Sequence, residues 1–168
     1  MMRKKHGRRI GATAQELKLM PHLIPKPLFR KSAANLLSRS AWGRIKADTL
    51  EVAHHTCQAC DDADNALDCH EMWDYDEERG TATLIGLRMQ CEDCHLAVHM
   101  GLAVKTGRGN AALTQLMKVN GIDASQAKAL YHNAMDEWRR RNKIKWRIVV
   151  GEALLERYPE LGTLEALL

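Results

Sequence analysis

Aromatic residues are scarce in this chain of 168 residues: they make up 5% and include a single phenylalanine. A core of large aromatic side chains is therefore excluded, and something besides bulk apolar contact must help to hold a compact unit together. Long hydrophobic runs are also missing. No stretch of 18 or more apolar residues occurs, which excludes a membrane-spanning helix. Residues 1–10 are basic but lack the apolar stretch and small-residue site of a secretory signal, so a reducing, cytoplasmic compartment is expected. The length suits one domain with extensions, or a small core between two arms, and excludes two large domains.

Charge is present in quantity but unevenly spread. The net formal charge of +4 conceals three blocks. Residues 1–50 carry 12 basic and 2 acidic side chains, residues 51–100 carry 2 basic and 12 acidic, and residues 101–168 carry 11 basic and 7 acidic. Basic flanks around an acidic centre point to an anionic partner for the flanks. All five cysteines and five of the eight histidines fall inside the acidic centre. An odd cysteine count in a reducing compartment argues against a disulfide framework and for metal.

The flanks read mainly as helix. Residues 1–12 form a basic arm, either solvated or lying along phosphates. Pro21, Pro25 and Pro27 make 20–28 an extended linker. Ala34, Leu37, Ala41, Ile45 and Leu50 give one or two helices within 29–54, with Gly43 as a possible bend. Leu67–Tyr75, the turn Glu77–Gly80 and Thr81–Met89 read as a hairpin. Helix is expected over Asp93–Met100, ending at Gly101, and again over Asn110–Val119. Asp123 and Gln126 resemble a capping box opening a helix to about Arg141. Residues 146–150 read as a last strand before a C-terminal helix. The run RRRNKIK, with Arg139, Arg140, Arg141, Lys143 and Lys145, either complements that helix end or contacts phosphate. Trp42, Trp138 and Trp146 are candidate anchors joining the flanks to the centre.

Cys57-x2-Cys60 and Cys91-x2-Cys94 are two knuckles separated by 30 residues. Each presents two thiolates from a tight turn, and two facing knuckles complete a tetrahedral sulfur cage that suits zinc. Cys69, His70, His95 and His99 remain as further candidate ligands. His95 and His99 stand four apart on one helix face, whereas Cys69 and His70 are strand neighbours and point opposite ways. A hairpin packed on the helix could bring one of the two strand residues to the helix histidines.

These segments, LDCHEMW, then a hairpin, then GLRMQCEDCHLAVHMG, resemble the HNH endonucleases, most strongly over 57–101 and more loosely over 42–147. KVNG and WRRRNKIKW resemble small bacterial and phage members. The resemblance implies a ββα-metal finger of the zinc-ribbon kind, hence an α+β fold with flanking N- and C-terminal helices. It divides the chain into an arm and linker (1–28), a helical segment (29–54), the HNH-like finger (55–104) and a C-terminal helical region (105–168). It implies structural zinc on Cys57, Cys60, Cys91 and Cys94. It implies His70, expected at the end of the first strand, as general base, with a second divalent ion (Mg²⁺, Mn²⁺, Ni²⁺ or Zn²⁺) near Cys69, His95 and His99. DNA is the implied partner, held by Arg3, Lys4, Lys5, Arg8, Arg9 and the 139–145 run. The sequence departs from the family pattern at Gly86, where an asparagine usually stands. Two readings therefore stay open: a DNA nuclease, or an inactive HNH-fold zinc module that binds DNA or, through its acidic hairpin, a protein. Nine acids, including Asp61, Asp68, Asp74 and Glu77, either face away from DNA, pairing with the chain's own basic arms or with solvent, or form a surface that binds a basic protein or mimics nucleic acid.

Overall fold

The computed structural model describes residues 17–167. The five basic residues expected to bind phosphate between Arg3 and Arg9 lie outside the described residues. Two short helices, α1 (Ala33–Leu36) and α2 (Arg39–Val52), precede the hairpin of β1 (Leu67–Asp76) and β2 (Thr81–Cys91). Helices α3 (Glu92–Val98), α4 (Met100–Lys105), α5 (Gly109–Asn120) and α6 (Ala124–Arg141) follow. The chain closes with β3 (Arg147–Val150), α7 (Glu152–Arg157) and a 3-10 helix over Pro159–Leu167. The fold is α+β. No helix among the described residues is long and apolar enough to cross a membrane.

The hairpin forms where alternation demands it. Cys69 pairs with Met89 and His70 with Arg88, and an irregularity at Met72/Trp73 leaves Ile85 without a partner. Its turn needs Gly80, which has φ +61°; a Cβ there would stand 2.7 Å from the Lys145 carbonyl oxygen. That carbonyl belongs to the approach to β3, which joins β2 in parallel, Thr81 opposite Arg147. The result is a three-stranded mixed sheet in the order β1-β2-β3.

Two large apolar clusters organise the molecule, beside a small third one of Ala53, Cys69 and Met89. One lies beneath the sheet, where Ala82, Leu84, Ile148 and Val150 meet Ile45, Trp146 and the C-terminal Leu161 and Leu164. The other gathers Leu19, Ala97, Met100, Leu116 and Ala127 around the four knuckle cysteines. The capping box on α6 is present in both directions, Asp123 accepting from the Gln126 N–H and Gln126 from the Asp123 N–H. Gly121 adopts a left-handed conformation and ends α5.

Three local expectations need correction. Gly43 does not bend α2, which runs unbroken through it. The helix after the second knuckle breaks at His99 (φ −86°, ψ 43°), not at Gly101, which lies inside α4. Residues 17–28 form a packed strap where a free linker was expected. Leu19 is 1% exposed, and both Pro21 and Pro25 are buried. Hydrogen bonds pin the strap along its length. Asn120 holds Leu19, His22 N–H donates to the Val98 carbonyl, Trp138 Nε1 donates to the Ile24 carbonyl, and Lys26 N–H donates to Asn142. Prolines that fix φ suit such a strap as well as a linker.

Candidate metal centres

The first centre is built by two tight turns. Cys57 N–H donates to the Asp62 carbonyl, and Gln58 N–H donates to the Met89 carbonyl, tying the first knuckle to the end of β2. The second knuckle spans the end of β2 and the first turn of α3. The four sulfurs lie within 4.8 Å of one another. Cys60 Sγ and Cys91 Sγ are 3.7 Å apart. Tetrahedral zinc with bonds near 2.3 Å separates its sulfurs by about 3.8 Å, so the donor set fits that ion. Burial raises the thiols of Cys60 and Cys94, and Cys57 behaves differently. Burial raises the Cys57 thiol pKa, but backbone N–H groups of Cys91, Ala59 and Cys60 outweigh that and bring it down to about 7. Gln115 Nε2, from α5, donates to Cys94 Sγ at 3.1 Å. The cluster suggests structural zinc. Cys57 and Cys94 are wholly buried within the α3–α6 cluster, so metal and helix packing form one unit.

The second centre lies where β1 crosses α3. His70 projects from β1, His95 from α3, and His99 from the α3–α4 break; one ring nitrogen from each falls within 4.8 Å of the others. His95 Nε2 and His99 Nε2 are 3.0 Å apart. Their rings and that of His70 meet edge-on, with centroids 4.7 to 5.3 Å apart. Three converging imidazoles could hold a metal, and nitrogen donors suit zinc, nickel or iron better than magnesium. Among the described residues these are the two groups of this kind.

Cys69 does not join the histidines. It lies on the other face of β1, buried with Ala53 and Met89. Burial pushes its thiol up to about 11. Of the two strand neighbours, His70 is the one that meets the helix. It is the fourth residue of β1, whereas the resemblance puts the base at the strand end.

Burial dominates the electrostatics. It lowers the pKa of all three imidazoles, with the neighbouring imidazoles adding repulsion at His70 and His99. His70 falls to about 2 and His99 to about 4. The three rings are thus neutral at pH 7, as ligands must be. His22 falls in the segment expected to be linker, yet the strap delivers it here. Its ring stands 6.5 Å from that of His70 and stacks at 5.3 Å on Tyr75. Only the flanking Pro21 and Pro25, which stiffen the backbone, could have signalled it.

The basic run lies close by. The Arg141 guanidinium covers the Tyr75 ring at 4.7 Å, so Arg141, Tyr75, His22 and His70 form a continuous line. Arg139 pairs with Asp136, Arg140 with Glu77, and Arg141 with both Glu77 and Glu137. Lys143 and Lys145 are exposed. Part of the acidic centre thus pairs with the chain's own cations, including Lys46 with Asp68.

The fold and its two centres define a small α+β protein with a zinc-ribbon-like four-cysteine cluster and a histidine triad. No family model, curated protein or solved structure matches the chain.

Proposed function

We propose that this protein is a metal-dependent nuclease of the HNH type that acts on DNA. The carrying observation is the convergence of His70, His95 and His99 on a hairpin-and-helix unit whose ends are tied by four cysteines. His95 and His99 would hold the catalytic metal. When bound, a divalent ion there supplies charge that stabilises a phosphodiester oxygen as it becomes negative.

The remaining steps belong to the chain. His70, neutral and beside the metal ligands, accepts a proton from the attacking water. Its depressed pKa makes it a weak base in the free protein. An incoming phosphate is negative and raises that pKa toward the useful range, because an opposite charge nearby favours imidazolium. Arg88 stands opposite His70 on β2, with its guanidinium anchored to the carbonyls of Lys18 and Gln58. Lys143 and Lys145, exposed at the end of the basic line that runs to His22, supply phosphate contacts outside the site. Contacts of this kind give affinity without base readout.

Two observations favour a second reading, a metal-binding module without hydrolysis. Gly86 offers no side chain to orient His70, and three imidazoles this close resemble a complete ligand set that leaves no base. Such a module would bind DNA through the same cations, or a basic protein through the acids that remain unpaired.

Supercoiled plasmid incubated with Mg²⁺, Mn²⁺, Ni²⁺ or Zn²⁺ separates the two. The nuclease reading expects nicking with at least one of the softer ions and its loss in His70→Ala, with the cysteine-bound zinc retained. Folded, metal-loaded protein that leaves DNA intact under all four ions gives the second reading.

A further inference from the structure

Asp68 sits on β1 two residues before His70 and is one of the acids whose role the site leaves open. Its two oxygens have different duties. Oδ1 accepts from its own chain at Cys69 N–H (2.9 Å) and from Lys46 Nζ (3.0 Å). Oδ2 is left facing His95 Nδ1 at 3.5 Å. On the far side of the same ring, His95 Nε2 faces His99 Nε2 at 3.0 Å. A carboxylate at Nδ1 favours the tautomer with its proton there, which leaves the Nε2 lone pair aimed at the other imidazoles. Lys46 comes from α2, a separate element, so the carboxylate is held from outside the hairpin.

We infer that Asp68 is a positioning residue for the histidine centre: held by Lys46, it fixes the tautomer and orientation of His95 and so sets that centre's metal affinity. The inference rests on the histidine group being a metal site and not on hydrolysis. Lys46 acts through Asp68, and its loss leaves the backbone N–H of Cys69 as the remaining hold on the carboxylate beside His95 itself. Lys46 and Asp68 are 38% and 55% exposed in their side chains, so water competes for both and the Lys46 effect is the smaller.

Cobalt(II) titration of the full chain, with zinc already on the cysteines, tests this through the visible absorption of cobalt bound to nitrogen. Asp68→Asn keeps the size of the side chain and removes its charge. It is expected to weaken cobalt binding about tenfold or more. Asp68→Glu is expected to recover part of the loss, and Lys46→Met to weaken binding by a smaller factor. Zinc content at the cysteines and the thermal midpoint report folding separately. Wild-type affinity in a folded Asp68→Asn chain overturns the positioning role alone. If the wild-type chain takes up no cobalt at nitrogen, the metal reading of the histidines falls and this inference falls with it.

Discussion

Asn120 grips Leu19 through both of its amide atoms: Oδ1 accepts from the Leu19 N–H at 3.0 Å, and Nδ2 donates to the Leu19 carbonyl at 2.6 Å. The pair is buried and spans 101 residues, joining the end of α5 to the start of the strap. Since the strap carries His22 to within 6.5 Å of His70, this contact ties the C-terminal helices to the edge of the histidine centre.

Asn120→Ala leaves a buried N–H and a buried carbonyl unpaired. The expected cost is about 2 kcal/mol, read as a lower urea midpoint with an unchanged slope. Amide exchange at Leu19 and His22 should rise more than exchange in the β1–β2 hairpin. Equal change in both would mean that the strap is not a separately anchored element.

Removal of zinc should unfold the half of the molecule built on the cysteines. Cys57 and Cys94 are fully buried in the cluster of α3 to α6, and four unliganded thiols cannot replace the bonds that hold the knuckles together. Cys94→Ser is therefore expected to lose much of the helical circular dichroism. Gln115→Ala removes one donor to Cys94 Sγ and should lower zinc affinity about tenfold in competition with a chelator. Gln115→Glu should be worse, since a carboxylate repels the thiolate.

The hairpin, the knuckles and the α6 capping box were legible in the sequence because each rests on local signals. The Glu77–Gly80 turn, the Cys-x2-Cys spacing and the Asp123–Gln126 pair need only a few neighbouring residues. Alternation placed Cys69 and His70 on opposite faces of β1, but which face would meet α3 depends on packing. The strap and the parallel pairing of β3 were not legible. The strap depends on contacts such as Leu19 with Asn120 and Ile24 with Trp138, more than 100 residues apart, and the β3 pairing on distant partners such as Thr81 and Arg147. Asp68 and Gln115 escaped for the same reason: a carboxylate among nine acids, or a lone helix glutamine, gains meaning only from the atom it faces.

Glu77 pairs with two arginines of the basic run. It accepts from Arg140 and Arg141, while Lys143 and Lys145 remain exposed. On the DNA-binding reading, Glu77→Gln should tighten binding to a short duplex a few-fold and steepen the fall of affinity with salt. Unchanged affinity and salt slope would place phosphate contact elsewhere.

Asp48 gives a pH dependence away from both metal centres. It accepts from the Tyr158 hydroxyl and from Arg157 Nε at 2.8 Å. The Tyr158 bond first, against a cost of desolvation, and then Arg157 hold its carboxyl below the ordinary value of 3.8. A folded pKa below the unfolded one stabilises the protein above the unfolded pKa and is lost as pH falls through the folded one. The stability difference between wild type and Asp48→Asn should therefore be largest near neutrality and shrink below pH 4. A difference that stays constant to pH 3 would show that Asp48 is not the titrating partner.

Two separate metal centres are proposed within one small chain. Metal content by mass spectrometry under native conditions, after reconstitution with zinc, measures this directly. Two ions per wild-type chain are expected, falling to one in His95→Ala while the cysteine-bound ion remains. A single ion in the wild type, unaffected by that substitution, would contradict the second centre and with it the proposed chemistry.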